Sequence, residues 1–416
     1  MQLESAWDVK YEWKAVTLLS LGFGLVGLDR WIIAPLFPTM MKDLHLSYED
    51  LGNIIGILGL GWGVVCIAAG ALTDRIGVRR TLIPALVLFS LLAGFTGLAG
   101  GLVSLLVLRT VMGATEGAYL PAAMGTTTIA SHPKRRGLNQ GFQLSLFALL
   151  GLGLGPIIAT QALGILPSWR WVFVMVAVPG LILAVFQYFI IREPDHHREK
   201  SEKEIASEPW FAMLKSRNII ITLICLPCAV TCVFILGAMI PNYLVDYRHL
   251  PIQQMGFVMS ALGFGGFIGQ FAVPGISDLI GRRITAVIAF LCSAILVYIL
   301  SISPTTPIVL FFVLIAISFF CFGILSLFTG PVPTEAVSLG LLSSSVGIAS
   351  GIGEIFGGAI APSVSGMIAQ HYGIQAVLWL PIVTLIIGLF VALCLKETAP
   401  RFLNKAENIV KNYKIS

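Results

Sequence analysis

The chain has 416 residues, of which 57% are hydrophobic and only 11% are charged, and its mean hydropathy is +0.91. Soluble globular domains are about 25% charged, so this composition excludes a soluble protein and predicts an integral membrane protein. The net charge of +5 does not indicate nucleic-acid binding, because the basic residues are confined to one set of loops between apolar segments.

Twelve apolar segments follow one another along the chain. Each is long enough to cross a bilayer as a helix, which requires about 20 residues. They predict an all-α membrane protein with twelve transmembrane helices. The predicted spans are 15–41, 52–72, 81–99, 102–130, 139–165 and 171–191 in the first half, and 217–245, 254–274, 284–303, 307–332, 338–369 and 374–396 in the second half.

A long polar stretch separates the sixth and seventh segments and predicts a linker between two six-helix bundles. It contains Arg192 to Leu214, which is the longest polar stretch inside the chain. The predicted organisation is an N-terminal tail over 1–14, a bundle over 15–191, a linker over 192–216, a bundle over 217–396 and a C-terminal tail over 397–416.

The distribution of basic residues predicts the orientation in the membrane, because Lys and Arg are enriched in cytoplasmic loops. On one side of the predicted membrane lie only Lys42, Arg170 and Arg248, whereas the other loop and tail residues of this kind lie on the opposite side. Both termini and the linker are therefore expected in the cytoplasm, and the expected location is a bacterial inner membrane.

Four charged residues lie inside predicted spans. Asp29 and Arg30 are adjacent in the first span, and Arg109 and Glu116 are seven residues apart in the fourth. A charge at bilayer depth costs at least about 2.5–3.5 kcal/mol, so such residues mark a substrate or ion path by default. Seven residues are two helical turns, which puts Arg109 and Glu116 on one helix face.

An internal repeat relates the two halves. Asp74-Arg-Ile-Gly-Val-Arg-Arg80 follows the second span, and Asp278-Leu-Ile-Gly-Arg-Arg283 follows the eighth, so the offset between the two copies is 204 residues. Two halves related by a parallel repeat form one known transporter plan, in which the substrate site lies between the halves near the bilayer midplane.

The segment Gly70 to Arg80 resembles the G-x-L-x-D-R-x-G-x-R-R loop of the major facilitator superfamily, and the second copy extends this resemblance over essentially the whole chain. The resemblance implies that fold, with a central cavity, and a conformational latch at these loops. The alternative is that the loops only set topology, with a glycine for the tight turn. The latch residues would be Gly70, Asp74, Arg75, Gly77, Arg79, Arg80, Asp278, Gly281 and Arg282.

Three further features resemble the organic anion:cation symporters of that superfamily. They are Asp29-Arg30 in the first span, the R-x-x-x-G-x-x-E-x-x-x-x-P pattern from Arg109 to Pro121, and the P-x-x-x-R-G loop at Pro133 to Gly137. The spinster branch, which carries lysophospholipids, shares much of this pattern.

The resemblance assigns roles to the four intramembrane charges. Arg30 would bind a substrate carboxylate, since its guanidinium stays charged and offers two parallel donors. Asp29 and Glu116 would carry coupling protons, because burial favours the neutral carboxyl group and a nearby arginine favours the charged one. Arg109 would tune Glu116. The alternative for all four is a static buried ion-pair network that holds the helices together.

Glu354, in the glycine-rich stretch 351–358 of the eleventh span, departs from the symporter pattern, which tends to have Asn there. It could bind a proton, Na⁺ or a cationic substrate group, or it could form a hydrogen bond among the packed glycines. Gln143 in the fifth span and Asn242 and Tyr243 at the end of the seventh are additional candidates for substrate binding.

Other residue types carry no predicted site. The seven cysteines all lie in apolar runs and are expected to pack rather than to bind metal or react. Trp62, Phe319 and Phe320 are expected to face lipid or the core. The histidines do not cluster, so neither a metal nor another cofactor is expected.

The sequence thus favours a secondary transporter, not an enzyme, that imports a small organic carboxylate with H⁺ or Na⁺ by alternating access. The expected state is a monomer surrounded by membrane lipids. The main alternative is a proton-driven exporter of a drug or lysolipid-like amphiphile, favoured by Glu354 and by the partial antiporter motif Gly151 to Pro156. A non-transporting sensor is a third possibility, although no extra soluble domain is present.

Overall fold

A computed structural model describes residues 8–132, 135–192, 210–337 and 342–399. Within its helices, the side chains of 70–76, 136–137, 210–212 and 342–344 are not described. The predicted linker residues 193–209, the tail residues 1–7 and 400–416, and residues 338–341 of the predicted eleventh span lie outside the described residues.

The described residues form twelve long helices and no strand. Eleven of them are long and apolar enough to span a membrane. The exception is α4, which has 29 residues but carries Arg109 and Glu116, and these charges lower its hydropathy. The helices are α1 Val9–Asp43, α2 Tyr48–Ile76, α3 Val78–Thr96, α4 Leu102–Ala130, α5 Leu138–Ile165, α6 Trp169–Ile190, α7 Arg217–Tyr247, α8 Ile252–Ile280, α9 Arg282–Ile302, α10 Pro307–Thr334, α11 Ser345–Tyr372 and α12 Ile374–Ala392.

The helices match the predicted spans, and the differences lie at polar ends. Helix α1 begins at Val9, within the predicted tail, because the Asp8 carboxylate caps it by accepting a hydrogen bond from the Tyr11 amide at 3.0 Å. Helix α8 continues to Ile280 rather than residue 274. Hydropathy detects only the apolar part of a helix, so it misses such polar turns.

The two halves have equivalent internal packing. Helix α2 packs along α4 as α8 packs along α10, and α3 packs against α6 as α9 packs against α12. Across the halves, α2 packs against α11 and α8 packs against α5. The repeat read from the sequence therefore corresponds to a structural repeat, and α1, α2, α5, α7, α8 and α11 meet where the halves face each other.

The repeated loop after α2 and after α8 is a tight turn built on glycine in both copies. Gly77 has φ +95° and Gly281 has φ +105°. Residues with a side chain rarely adopt this region of backbone conformation, whereas glycine adopts it freely. The two copies thus place a glycine at the same turn for the same steric reason.

The two halves contact each other at one end of the bundle. This end, formed by the α1–α2 and α7–α8 connections, is called the distal end. There the Tyr48 hydroxyl donates a hydrogen bond to Asp246 at 2.8 Å, and the Tyr48 amide donates one to Gln370 at 3.3 Å. Nearer the middle, a Cβ atom at Gly59 would lie 2.5 Å from the Gly358 carbonyl oxygen. Helices α2 and α11 thus approach closely because glycines face each other.

We predict that Gly59→Ala destabilises this contact, because its methyl group would overlap the α11 backbone. Overpacking of this kind costs about 1–3 kcal/mol in free energy of unfolding. The measurement is thermal unfolding of the purified protein in detergent. Gly125→Ala is the matched control, since a Cβ there meets no atom within 4 Å. Equal midpoint temperatures for the two variants would show that α2 and α11 do not need this approach.

Candidate functional site

Helix α1 is interrupted directly after the adjacent charges Asp29 and Arg30. Regular helix ends at Trp31 and resumes at Ile33. Pro35 has no amide hydrogen and cannot donate to the carbonyl of Trp31, which explains the local loss of the hydrogen-bond ladder. The interruption places free backbone carbonyl groups and two charged side chains at the same level of the helix.

Arg109 of α4 binds α1 at this interruption. Its Nη1 atom donates to the carbonyl oxygen of Asp29 at 3.0 Å and to that of Arg30 at 3.3 Å. Arg109 therefore holds the backbone that carries the two charged side chains. Arg109 does not form a hydrogen bond with Glu116, since neither Glu116 oxygen has a hydrogen-bond partner among the described residues. Its predicted role of tuning Glu116 therefore does not rest on such a bond.

An ion pair between the two halves lies at the centre of the site. The Arg30 Nη2 atom donates to the Glu354 Oε2 atom at 2.8 Å, which joins α1 to α11. The Arg30 side chain is 2% exposed and that of Glu354 is 15% exposed. Glu354 is the first residue of a π-helical segment, Glu354–Ile360, and such wider turns recur at functional sites.

Two aromatic rings flank the Arg30 guanidinium. Its central carbon lies 4.5 Å from the centre of the Phe234 ring and 5.9 Å from that of Trp62. These are cation–π distances, and they favour a desolvated arginine. Sequence reasoning missed both rings and expected Trp62 to face lipid or the core. Phe234 lies 204 residues after Arg30, which is the offset of the internal repeat. The repeat could therefore have indicated that Arg30 and Phe234 occupy equivalent positions in α1 and α7.

Two more carboxyl groups lie in the same electrostatic neighbourhood. Glu116 is 0% exposed and interacts with the charges of Arg30, Arg109 and Glu354, and Asp29 is 2% exposed and interacts with Glu116 and Arg109. The site thus brings together five of the predicted residues, the four charges of the first half and Glu354, with three carboxyl groups against two guanidinium groups.

Several polar atoms of the site are buried without a partner among the described residues. They include Arg30 Nε, Trp62 Nε1 and Asp29 Oδ1, together with Nε and Nη2 of Arg109. A buried donor or acceptor that lacks a hydrogen bond costs about 1–3 kcal/mol. The site therefore has spare hydrogen-bonding capacity that a polar molecule could satisfy.

The remaining predicted binding residues do not reach Arg30. The Asn242 amide donates to Asp246 at 3.0 Å and contacts the Met41 sulfur, and the Tyr243 hydroxyl accepts from Arg248 at 2.9 Å. Met41 is eleven residues beyond Arg30, which is about 16 Å along a helix. Asn242 and Tyr243 thus belong to the distal end rather than to the central charged site.

Gln143 of α5 is fully buried close to α4. Its Oε1 atom accepts a hydrogen bond from the Thr127 hydroxyl at 2.6 Å, while its Nε2 atom has no partner among the described residues. The residue therefore retains a free donor, but the contacts of the structure do not connect it to Arg30.

The predicted latch residues form contacts within each half. In the second copy, Arg282 pairs with Asp278 at 2.6 Å and with Glu335 at 2.8 Å. In the first copy, Arg79 donates to the Tyr188 carbonyl and stacks on the Tyr188 ring, while Arg80 is exposed. The surroundings of Gly70 and the side chains of Asp74 and Arg75 are not described.

The α4–α5 loop is held by a buried carboxylate that the sequence did not reveal. Glu12 of α1 is 0% exposed and pairs with Arg135 at 2.6 Å. It also accepts hydrogen bonds from the His132 amide and the Asn139 side chain, both at 3.1 Å. This network fixes the first turn of α1 to the loop that resembles the P-x-x-x-R-G motif.

We predict that Arg30 and Glu354 are energetically coupled. Arg30→Ala alone leaves a buried carboxylate unpaired and should lower the free energy of unfolding by about 3–5 kcal/mol. Adding Glu354→Gln should restore part of that loss. Adding Gln143→Ala should not, because changes in the free energy of unfolding at independent sites add. Thermal unfolding of the single and double variants at pH 7.5 measures this coupling. Simple additivity of Arg30→Ala and Glu354→Gln would contradict it.

Comparison with known proteins gives a consistent set of relatives. The sequence family model of the Major Facilitator Superfamily matches residues 19–357 of this chain. The chain is 27% identical to the hexuronate transporter of Bacillus subtilis, over 83% of this chain and 85% of that protein. It is 25% identical to the "Probable 4-methylmuconolactone transporter" of Cupriavidus pinatubonensis, over 85% of this chain and 83% of that protein.

A solved structure shares the fold. It is a bacterial homolog of the human lysosomal transporter Spinster, in an inward-facing and unoccupied conformation. The two structures superpose with a TM-score of 0.77 over 93% of this chain and 97% of that chain, at 16% sequence identity. At this identity, the likeness supports the helical architecture and carries no inference about substrate.

Proposed function

Because the chain belongs to the Major Facilitator Superfamily, whose members are transporters and not enzymes, we propose that it imports a small organic carboxylate together with protons. Its relatives include a hexuronate transporter and a "Probable 4-methylmuconolactone transporter", which supports an organic acid as the substrate class. The chain is a multi-pass integral membrane protein, and transport would proceed by alternating access between its two halves.

The observation that carries the proposal is the carboxylate already bound to Arg30. The Glu354 carboxylate lies 2.8 Å from the Arg30 guanidinium, between the two halves and beside two aromatic rings. The site is therefore chemically suited to a carboxylate, and a substrate acid would occupy the same position. The unpartnered donors Arg30 Nε and Trp62 Nε1 would suit the hydroxyl groups of a sugar acid.

Asp29 and Glu116 are the groups that we propose carry the coupling protons. Both are almost fully buried, and they interact with each other and with Arg109. Burial favours the protonated carboxyl group, while the guanidinium favours the charged form. A change in solvent access or in substrate occupancy would therefore change their protonation. Arg109 would set this balance electrostatically while its hydrogen bonds hold α1.

Alternating access requires that the contacts of the distal end break. In this proposal the termini are cytoplasmic and the distal end faces the outside of a bacterial inner membrane, so the Tyr48–Asp246 hydrogen bond closes the outer side. The repeated loops after α2 and α8 would act as latches during the rocking of the halves. The transporter would work as a monomer.

A proton-driven exporter of a drug or lysolipid-like amphiphile has less support. That alternative was favoured by Glu354 and by the partial antiporter motif Gly151 to Pro156, and Glu354 is paired with Arg30. Stabilisation of the purified protein only by lipophilic cations or lysolipids, independent of Arg30, would favour the exporter over the symporter.

We predict that Arg30→Ala abolishes acid uptake, because the substrate carboxylate loses its cation. Arg30→Lys should retain partial uptake, since an ammonium group keeps the charge but not the bidentate geometry. Uptake of D-galacturonate, a hexuronate, into proteoliposomes under an inward proton gradient measures this. Arg192→Ala is the matched control, because Arg192 is a largely exposed arginine paired with Asp8.

Thermal stabilisation by a panel of acids provides an independent readout of binding. The panel contains D-galacturonate, L-galactonate, an aromatic acid and a dicarboxylate at mildly acidic pH. A ligand at 100 times its Kd stabilises the folded state by about 2.7 kcal/mol. Uptake or stabilisation that is unchanged in Arg30→Ala would remove the role assigned to Arg30.

We predict that Glu116→Gln uncouples transport from the proton gradient. The amide cannot bind and release a proton, so accumulation of D-galacturonate against its gradient should be lost. Exchange of internal for external D-galacturonate should persist, because it needs no net proton movement. Both are measured in the same proteoliposomes. Persistent proton-driven accumulation in this variant would exclude Glu116 as the coupling group.

A further inference from the structure

We propose that Glu354 is an internal competitor for Arg30, which the substrate carboxylate displaces and which then binds a proton. This inference rests on the proposed function and adds a specific event to it. The hydrogen bond that Glu354 forms within the described residues is the one from Arg30 at 2.8 Å, and Nη2 of Arg30 is the atom that donates it. A substrate acid that takes this position therefore leaves Glu354 without its cation.

No second cation among the described residues faces Glu354 to replace Arg30. From α2, Cys66 interacts with it, and a Cβ atom added at Gly63 would lie 3.5 Å from the Glu354 Cβ atom. From α4, the facing group is the carboxyl of Glu116, which repels a negative charge. From α7, the neighbours of this stretch of α11 are apolar, namely Leu226, Val230 and Phe234.

An unpaired carboxylate in this environment is strongly disfavoured, because it has lost water and gained no compensating charge. Binding a proton removes that charge. The exchange of partners at Arg30 begins when the Arg30–Glu354 contact breaks. A contact then forms between Arg30 and the substrate carboxylate, and one proton moves from a hydronium ion of the solvent to a carboxylate oxygen of Glu354, so that an O–H bond of hydronium breaks and water is left. No covalent bond other than the O–H bond of Glu354 forms.

Exposure favours Glu354 over the other two carboxyl groups as the group that binds this proton. Its side chain is 15% exposed, whereas Asp29 is 2% and Glu116 is 0% exposed. Water can therefore deliver a proton to Glu354 directly. Asp29 and Glu116 remain the buried coupling groups of the proposed function, because the empty carrier would return only after they release their protons. Net accumulation would therefore still require Glu116, and Glu354 would contribute a further proton at the binding step itself.

The charge of the site explains how this competition would couple substrate and proton. One monoanion adds one negative charge, and one proton on Glu354 cancels it. The empty site and the site with both anion and proton thus have equal charge, while the anion alone leaves an excess negative charge at bilayer depth. That excess charge opposes closure of the halves around the site. The Arg30–Glu354 pair would likewise let the empty carrier close.

The test compares anion binding and proton uptake in wild type, Glu354→Gln and the control Glu49→Gln, a carboxylate in the first turn of α2. Calorimetric titration with D-galacturonate at pH 5.5 to 7.5 gives the Kd. Repeating it in buffers of different ionisation enthalpy gives the protons bound per anion. If D-galacturonate does not bind, the acid that stabilises the protein most is used.

In wild type and Glu49→Gln, Kd should rise by about tenfold per pH unit once Glu354 is ionised, as expected for uptake of one linked proton. Glu354→Gln should bind about one proton fewer per anion. It should also bind the acid about tenfold more tightly than wild type at pH 7.5, with a flatter pH profile. Glu354→Asn provides a second variant in case the first does not fold.

The outcomes separate the two proposals. If the Gln and Asn variants keep the wild-type pH profile and proton count, Glu354 does not compete and the inference is overturned, while the carboxylate site at Arg30 stands. Weaker binding in both variants at every pH would mean that Glu354 contacts the substrate directly, which also overturns the inference. If no acid in the panel binds wild type, or if binding survives Arg30→Ala, the proposed function itself fails.

Discussion

The ion pair between Arg30 and Glu354 is the interaction on which the rest of the site depends. It is buried at the junction of two bundles and joins α1 of the first half to α11 of the second. Removing two charges from water is expensive, and the attraction between them offsets this only with good geometry and additional contacts. Those contacts are present, because Phe234 and Trp62 flank the guanidinium. The pair satisfies both charges, and in the proposed mechanism each residue would exchange its partner for an external one.

The helices around this pair contain local departures from regular structure that position it. The interruption of α1 next to Pro35 exposes carbonyl groups that Arg109 binds, which anchors the backbone of Asp29 and Arg30. On the opposite side, a π-helical segment begins at Glu354. A second π-helical segment, Leu149–Leu154, lies at nearly the same place in the repeat on α5. Both helices cross the junction between the halves, so the irregular turns lie where relative movement would occur.

The structure also separates the charged site from the contacts that close the bundle. The Tyr48–Asp246 hydrogen bond lies at the distal end, whereas the glycine contacts of α2 with α11 extend to the level of Glu354. Asn242 shares a hydrogen bond with Asp246, so it lies among the contacts of the distal end. In the proposed mechanism the distal contacts could rearrange without altering the residues that recognise a carboxylate, because different side chains would perform the two tasks.

The sequence by itself determined the membrane class, the twelve helices, the repeat and the four intramembrane charges. These follow from local properties, since apolar length, glycine at a tight turn and the cost of a charge in lipid are readable along the chain. It could not determine which partner Arg30 chooses, because Asp29, Glu116 and Glu354 were all possible and the choice depends on how helices from different halves rotate and approach. For the same reason Phe234 and Trp62 were missed as neighbours of Arg30, and the pairing of Tyr243 with Arg248 at the distal end was not foreseen. Contacts between residues that are hundreds of positions apart arise only when the two bundles pack, and therefore only the tertiary structure decided them.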